Sequence, residues 1–407
     1  MLLDFGAELS RGCHVLAVFT AFSLLVVAVF LLVGVLLCRR SCGRLRALWR
    51  EPALRVPVLI FESDDWGAGP VEQAQCLRRL RGVLGAYQDA QGRHPVMTLG
   101  ITLAAPLIKE KADGTFEYQR RLLDEPQQQA ILDEIRAGIC EGVFSAQLHG
   151  MEHFMPELLC DVARHDASLK TWLLDGEQYS ELLPARLQSR WIDARQLPSS
   201  EHADALVDAS VAAEVQEFVR IFGTAPEVVV PPTFVWTRRV EAAWARHGVR
   251  MLVSCGTRFT ARDAEGRPVS DGSRMHNGDV GGGLLCVVRD AYFEPAKGHC
   301  GSSVPDVLAR YEVCGRPLLL ETHRSNFTAL NPAAEQAFVE LEQAIRLALA
   351  RFPTLRFLST ADLGEAIRKR DPALLDHSFS GRFRIWIRRV AQQSAWLGRA
   401  LFSRAGG

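Results

Sequence analysis

Two adjacent carboxylates, Asp64 and Asp65, follow the apolar run 59–61 and come directly before Trp66 and Gly67. Neighbouring side chains of a regular strand point to opposite faces, so these carboxylates share a pocket only if the strand ends or turns there. Gly67 allows such a turn because glycine tolerates backbone conformations that other residues avoid. The pair therefore indicates a site for metal or proton-transfer chemistry, or else a solvated loop of ordinary turn residues.

Two histidines, His149 and His153, form a second polar cluster after the strand-like run 143–146. At a spacing of four residues they would lie on one face of a helical turn, close enough to bind one metal ion. One carboxylate from the first cluster would complete three protein ligands and leave positions open for water and substrate. That arrangement is typical of a catalytic metal site, although a histidine pair alone at this spacing is usually incidental.

These two clusters resemble the first two motifs of the polysaccharide deacetylases of the NodB-homology type, within the wider superfamily of glycoside hydrolase and deacetylase barrels. The resemblance implies that Asp64 is the catalytic base. It also implies that Asp65, His149 and His153 bind a divalent metal. We expect Zn²⁺ because the sequence shows no redox partner chemistry, with ferrous iron as the alternative because two histidines and one carboxylate also match its facial triad.

The apolar segment 318–320 leads through Glu321 and Thr322 to His323, which resembles the late Leu-x-His motif of the same family. The resemblance implies that His323 is the general acid that protonates the leaving group. The motifs keep the family's order across residues 56–365. The implied activity is removal of an acetyl group from a polysaccharide or other glycan, at an amide or an ester bond.

The family's third motif contains an arginine that orients the catalytic aspartate, but the corresponding segment 229–234 has prolines and no arginine. Arg289, next to Asp290, is the candidate that could supply this charge. Two other functions stay open. The chain could be a metal-independent glycoside hydrolase that pairs Asp64 with Asp290 or Glu321. It could also be a catalytically inactive, membrane-tethered protein that binds or assembles carbohydrate.

Three further residues are candidates for substrate binding. Trp66 lies beside the aspartates, and its flat ring is suited to one face of a sugar. Asn326 follows His323 closely, and Asp290 follows the candidate arginine. Each also has an ordinary explanation, because most aromatic rings are buried in cores and asparagine is a common turn former.

Strand-like segments alternate with helical patterns through most of the chain. The predicted strands are 57–62, 96–101, 143–148, 227–230, 250–254, 284–288, 317–322 and 355–358. The predicted helices include 71–90, 127–140, 203–222, 237–247 and 332–351. This alternation predicts an α/β fold with parallel strands, most simply a (β/α) barrel of seven or eight strands, with an open doubly wound sheet as the alternative. Residues 256–283 are expected to form a long loop.

Composition excludes several classes of protein. Lys and Arg balance Asp and Glu at 47 each, so no general affinity for nucleic acid is expected. Hydrophobic residues make up 48% of the chain and charged residues 23%, which is typical of a globular protein. The ten cysteines show no Cys-x-x-Cys pair and are expected to be free thiols in a reducing compartment.

The two ends of the chain differ from this central part. Residues 14–38 are almost entirely apolar, and a helix of that length rises about 37 Å, enough to span a membrane once. Five arginines follow, at positions 39, 40, 44, 46 and 50. They predict that the following domain, 51–372, lies in the cytoplasm, with an exported location as the alternative because the family commonly acts outside the cell. Residues 373–407 form a basic amphipathic segment suited to an anionic membrane or to packing on the barrel.

Overall fold

The computed structural model describes residues 42–174 and 179–403 of the chain. The predicted membrane helix 14–38 lies outside these residues, and within them no helix is both long and apolar enough to cross a membrane. Glu51–Arg389 form one compact unit, while the helix at 42–50 and the residues after Arg389 belong to a second unit. All the candidate site residues lie in the first of these units.

The strands are β1 (Val58–Gly67), β2 (Met97–Thr102), β3 (Ala104–Glu110), β4 (Phe116–Leu122), β5 (Phe144–Leu148), β6 (Ile192–Asp193), β7 (Ser200–Glu201), β8 (Val228–Val229), β9 (Met251–Ser254), β10 (Thr257–Arg262), β11 (Pro268–Arg274), β12 (Val280–Gly281), β13 (Leu284–Val288), β14 (Ala291–Tyr292), β15 (Leu318–His323) and β16 (Arg356–Phe357). The α-helices are α1 (42–50), α2 (Gln73–Gly85), α3 (Gln129–Cys140), α4 (Pro156–Ala163), α5 (Ala167–Leu174), α6 (Asp204–Phe222), α7 (Arg238–Arg246), α8 (Val304–Val313), α9 (Ala334–Arg351), α10 (Thr360–Lys369) and α11 (Phe379–Ser403). Short 3₁₀ turns lie at Ser180–Leu182, Pro232–Phe234, Pro295–Lys297, Gly301–Ser303 and Arg324–Asn326.

The central sheet has the strand order β12-β13-β9-β8-β5-β2-β1-β15-β14, and β16 pairs with the start of β1. Its ladders are parallel, except that β12 is antiparallel to β13. The strands follow chain order around the sheet until β15 returns to pair with β1, while no ladder among the described residues joins β13 to β14. The predicted α/β fold with parallel strands is therefore confirmed, but the sheet is curled and open rather than a closed barrel.

Both faces of this sheet are buried, as expected for parallel strands covered by helices. In β1, Leu59 and Phe61 belong to a large hydrophobic cluster that also contains Leu77 of α2. Val58 and Ile60 belong to a second cluster on the other face. Because side chains alternate along a strand, one apolar strand contributes to both cores.

Among the described residues, three antiparallel strand pairs lie outside the central sheet, formed by β3 with β4, by β6 with β7 and by β10 with β11. The hairpin of β10 and β11 occupies most of residues 256–283, so the prediction of a long loop there is wrong. Its strands carry Gly, Asp and Arg because β11 is largely exposed and packs few apolar side chains. Such a strand lacks the apolar alternation by which a strand is predicted from sequence.

The parallel register brings the candidate site residues to one edge of the sheet. Asp64 on β1 lies opposite His323 on β15, and Leu148 on β5 lies opposite Val229 on β8. His149 follows Leu148 directly, so it leaves the sheet at the same edge. The carboxyl ends of β8, β5, β1 and β15 therefore lie at one edge of the sheet, with β2 between β5 and β1.

Candidate active site

A bulge at the end of β1 explains how two consecutive aspartates face one cavity. The register of β1 against β2 shifts between Ser63 and Trp66, and Asp65 has a left-handed φ of 73°. Both Asp64 and Asp65 consequently line the same cavity of about 320 Å³. Gly100 on β2 makes room for the bulge, because a Cβ there would lie 2.5 Å from Asp64 Oδ1.

Asp65, His149 and His153 place one ligand atom each within 4.8 Å of one another. Asp65 Oδ1 lies 3.4 Å from His149 Nε2 and 3.2 Å from His153 Nε2. His149 Nδ1 lies 2.8 Å from the carbonyl oxygen of Val230. As that carbonyl can only accept, Nδ1 carries a proton, and Nε2 is the nitrogen left to bind a metal when the imidazole is neutral.

Unpaired polar atoms in this group are available to bind a cation. Asp65 Oδ1 and His149 Nε2 are buried and have no hydrogen-bond partner in the part of the chain that the structure describes. A buried polar atom without a partner costs about 1–3 kcal/mol, so such atoms rarely stay unpaired without a purpose. One oxygen and two nitrogen donors with open positions also suit catalytic Zn²⁺. The residues present therefore fit a divalent metal.

The pKa shifts of the three side chains differ in direction. Burial lowers the pKa of His153 to about 4, which keeps this imidazole neutral, the form that binds a metal. Burial opposes ionisation of Asp65, but His153 and His149 outweigh it and hold the pKa of this carboxyl well below its usual range. Burial also lowers the pKa of His149, but the carboxylates of Asp64 and Asp65 raise it further, so the net shift is upward. The same negative charges attract a metal cation.

The segment that carries the two histidines is not helical, so the predicted helical turn is wrong. Gly150 has a φ of 118°, and a Cβ there would lie 2.8 Å from the carbonyl oxygen of Glu152. Helix α4 begins only at Pro156. The chain instead makes an irregular bend at 149–155, which brings the imidazoles of His149 and His153 to 4.9 Å between ring centroids.

Arg289 supplies, beside Asp64, the positive charge that segment 229–234 lacks. Its Nη2 is 2.6 Å from Asp64 Oδ2, and its Nη1 is 3.2 Å from Asp64 Oδ1. Burial opposes ionisation of Asp64, but Arg289 outweighs it and lowers the pKa of this carboxyl. Asp64 is therefore ionised and held in one orientation, as a general base requires.

Two further carboxylates share this arginine. Arg289 Nη1 lies 3.0 Å from Glu62, and Arg289 Nε lies 3.2 Å from Glu321. Burial is the main cause that raises the pKa of both glutamates. The guanidinium also lies 5.0 Å from the ring centroid of Phe234, a cation–π contact. Arg289 is thus the central charge of a buried cluster that includes Asp64.

His323 is bound by a carboxylate that the sequence did not reveal. Its Nδ1 donates to Glu294 Oε1 at 2.5 Å, while Asn326 Nδ2 donates to the other oxygen of Glu294. Burial opposes protonation of His323, but the hydrogen bond to Glu294 and the charges of Asp65 and Asp64 outweigh it and raise the pKa to about 10. At neutral pH His323 is therefore a cation with a proton on Nε2 that it can donate.

Charged and polar side chains complete the cavity. Besides the groups above, the wall includes Glu181, Gln188, Thr233, Lys297 and Ser325. Backbone strain is concentrated here, since three non-glycine residues with positive φ, Asp65, Thr233 and Phe234, line this cavity. Such strain is tolerated where function requires a particular side-chain position.

The three residues expected to bind substrate lie elsewhere. Trp66 is fully buried in the core, and its Nε1 donates to Ser63. Asn326 is buried as well and supports Glu294. Asp290 is exposed, accepts a hydrogen bond from Tyr311 at 2.6 Å and does not line the cavity. We correct these three assignments, because neither buried side chain is free to contact a ligand and Asp290 lies outside the cavity.

Comparisons with known proteins found only distant similarity, and only among solved structures. No family model matches the chain, and no curated protein matches it. Among solved structures, the peptidoglycan deacetylase PdaC from Bacillus subtilis is similar with 9% identity, 78% of this chain and 94% of that chain covered, and a TM-score of 0.38. The family 4 carbohydrate esterase from Streptomyces lividans shows 13% identity, 75% and 91% coverage, and a TM-score of 0.31.

A different class of enzyme gives a comparable match. For the 4-alpha-glucanotransferase from Thermococcus litoralis the identity is 9% and the TM-score is 0.39, with 76% of this chain covered. This chain spans only 40% of the length of that protein. Because all these similarities are distant, the roles of the side chains rest on their geometry.

Proposed function

We propose that the protein is a metal-dependent hydrolase that removes acetyl groups from a carbohydrate. One observation carries the proposal: an unpaired Asp-His-His group, an arginine-bound aspartate and a carboxylate-bound histidine converge on one cavity. These are the three components that hydrolysis of an acyl bond needs, namely an electrophile, a base and an acid.

Asp65, His149 and His153 would hold the metal, with Zn²⁺ as the first candidate. When bound, a divalent metal polarises an acyl oxygen and lowers the pKa of water. His149 is already oriented for this task, because its hydrogen bond to Val230 fixes the tautomer. The position of Asp65 in the bulge directs its carboxylate towards both imidazoles.

Proton transfer is assigned to Asp64 and His323. Asp64, ionised beside Arg289, accepts a proton from the attacking water as the acyl carbon becomes tetrahedral. His323, protonated through its hydrogen bond to Glu294, then donates a proton to the departing nitrogen or oxygen. The reaction thus needs a deprotonated, negatively charged Asp64 and a protonated, positively charged His323. Both states are favoured at neutral pH.

A carbohydrate substrate agrees with the shape and chemistry of the cavity. Its volume of about 320 Å³ lies at the lower end of the range for pockets that bind small molecules. Glu181, Gln188, Thr233, Lys297 and Ser325 offer both donors and acceptors to hydroxyl groups. The cavity does not distinguish an acetamide from an acetyl ester, so both belong in the test.

The other two functions have less support. A glycoside hydrolase would need a second carboxylate free to act as acid, but Glu321 shares Arg289 with Asp64 and Asp290 lies outside the cavity. The case for an inactive binding protein rested on the missing arginine, and Arg289 takes the place of that residue. Neither alternative explains the unpaired atoms of Asp65 and His149.

The decisive experiment measures metal content and acetate release together. Full-length protein purified in detergent is analysed for bound metal and then incubated with N-acetylated and O-acetylated oligosaccharides, with and without a chelator. We expect about one divalent metal per chain and acetate release that stops with the chelator and returns with Zn²⁺. Cleavage of glycosidic bonds in the presence of chelator would support the glycoside hydrolase instead.

We propose from the sequence alone that residues 14–38 anchor the protein and that the catalytic unit lies on the cytoplasmic side. The five arginines between positions 39 and 50 carry this proposal. A fluorescent reporter fused to the C-terminus should be active in the cytoplasm. Activity of a fused alkaline phosphatase would show that the unit is exported.

A further inference from the structure

The bend 149–155 holds two of the three proposed metal ligands without the support of a helix or a strand. Its backbone is fixed at a few points: Leu103 N donates to the carbonyl oxygen of Met151 at 3.0 Å, and Met151 N donates to Glu214 Oε2 at 3.2 Å. An irregular segment keeps its side chains in place only if other groups fix it. The question is which side chains fix this one.

Glu152, between the two histidines in the sequence, is buried and does not line the cavity. Its side chain has no exposed surface. Oε1 accepts hydrogen bonds from Tyr118 at 3.0 Å and from Arg120 at 2.6 Å, and Oε2 accepts one from Arg190 at 2.8 Å. Both oxygens of a carboxylate in the middle of the metal-binding bend are thus occupied.

Arg190 connects this carboxylate to the next part of the bend and to helix α6. Its Nη1 donates to Glu152 and also to the carbonyl oxygen of Phe154, at 2.8 Å in each case. Its Nε lies 3.6 Å from Glu214 on α6, which in turn accepts a hydrogen bond from Trp244 at 2.9 Å. One guanidinium therefore holds the residues on both sides of His153.

We infer that Glu152, held by Arg190, is a positioning residue that sets the affinity of the metal site. The inference rests on the proposed function, since it takes Asp65, His149 and His153 as the ligands. The ligands must stay close together with no metal present, and Glu152 supplies the charge that fixes the backbone between two of them. Nothing in this network touches the substrate cavity, so its effect on catalysis is exerted through the metal.

The test compares Glu152→Gln with a matched control elsewhere. Glutamine has one acceptor oxygen where Glu152 has two, so its amide group faces an arginine donor and the bend must shift. Glu241→Gln is the control, because Glu241 is equally buried and accepts from Trp236 Nε1 at 2.8 Å and from Arg258 Nε at 2.8 Å. Glu241 does not line the cavity, and the hydrogen bonds and ion pair of its carboxylate are made with Trp236 and Arg258.

We measure the dissociation constant of Zn²⁺ by competition with a chromogenic chelator, and the thermal midpoint of the metal-free protein, for the parent and both variants. Glu152→Gln should weaken Zn²⁺ binding by about 10–100-fold, as expected for a group that orients a metal ligand. Glu241→Gln should lower the thermal midpoint but leave the Zn²⁺ dissociation constant unchanged. Excess Zn²⁺ should restore the turnover of Glu152→Gln towards that of the parent.

Tyr118→Phe provides a milder variant in case Glu152→Gln does not fold. It removes one donor to Glu152 Oε1 and leaves both arginines, so a smaller loss of Zn²⁺ affinity is expected. Equal affinity in the parent, Tyr118→Phe and Glu152→Gln would overturn the inference while leaving the proposed function intact. Conversely, a parent protein that binds Zn²⁺ but releases no acetate would contradict the proposed function, yet the affinities would still test the role of Glu152.

Discussion

The two halves of the candidate site differ in how completely the protein satisfies their polar groups. In the proton-transfer half, Asp64 is bound by Arg289 through a buried, charged hydrogen bond, and His323 is bound by Glu294 through a partly buried one. In the metal half, Asp65 Oδ1 and His149 Nε2 have no hydrogen-bond partner among the described residues. The protein thus supplies hydrogen-bond partners for Asp64 and His323, whereas the Asp-His-His group keeps unpaired ligand atoms that could bind a cation.

This difference has consequences for energetics. A buried ion pair costs several kcal/mol when one partner is removed, because the other charge stays behind without compensation. A catalytic metal site contributes less to folding than a structural one, so its ligands can be replaced at a smaller cost in stability. Changes in the metal half should therefore affect activity, whereas changes around Arg289 should affect stability as well.

The largest effect on activity is expected from His149→Ala. The variant removes one of three ligands, so the metal is lost together with the several kcal/mol that it supplies to the transition state, roughly 1000-fold in rate. Metal analysis and acetate release measure the two effects, and circular dichroism checks that the fold is retained. A variant that keeps a full complement of metal would contradict the assignment of His149.

The next largest effect is expected from Asp64→Asn. Asparagine keeps the size of the side chain but cannot accept a proton, so turnover should fall by about 100-fold while the metal stays bound. Metal content and turnover are measured on the same preparation. If metal and activity are lost to the same extent, Asp64 is a ligand and the two aspartates have exchanged roles.

Arg289→Gln tests the charged cluster through stability. Loss of the Arg289 guanidinium leaves Glu62, Asp64 and Glu321 buried without their shared cation. This should lower the free energy of unfolding by about 3–5 kcal/mol. Urea denaturation measures this value. Arg220→Gln is the control, because Arg220 pairs with Asp124 at an exposed position and should contribute less than about 1 kcal/mol. A similar decrease in the free energy of unfolding for both variants would contradict a larger contribution from the buried cluster.

The sequence predicted the parts of this site that lie within short segments. Asp64 and Asp65 are neighbours, and His149 and His153 are four residues apart, so their types and spacing were visible together. The parallel strands that bring them to one edge were also predictable, because strand-like and helical patterns alternate along the chain. The absence of a ladder between β13 and β14 in the described residues was not predictable, since the pairing of two strands depends on the whole sheet.

Partners that are distant in sequence were harder to predict. Glu294 precedes His323 by 29 residues and lies in a turn without a motif, so nothing local connects the two. Arg289 was proposed only because an expected arginine was missing elsewhere. Trp66 was misassigned for a related reason: being next to the aspartates in sequence says little about burial when the strand bulges between them. Local chemistry was readable, while packing and pairing required the three-dimensional structure.

The smallest effect is expected from Glu294→Gln, and it appears as a shift in pH dependence. Glu294 helps to raise the pKa of His323 to about 10, and His323 donates its proton only at pH values below that pKa. Glutamine still accepts the hydrogen bond from Nδ1 but lacks the charge, so the pKa should fall by about 1–3 units. The alkaline limb of the turnover profile should move to lower pH, while at pH 7 the loss stays near twofold because at least about half of His323 remains protonated.

Substrates with different leaving groups sharpen this last test. An activated acetyl ester needs little protonation of its leaving group, so its turnover should depend weakly on His323 and should hardly change in Glu294→Gln. An acetamide needs that proton and should show the full shift of the alkaline limb. If the limb keeps its position for the acetamide, Glu294 only holds His323 in place. If it shifts equally for both substrates, the limb reports another group, and the proton donor must be sought elsewhere in the cavity.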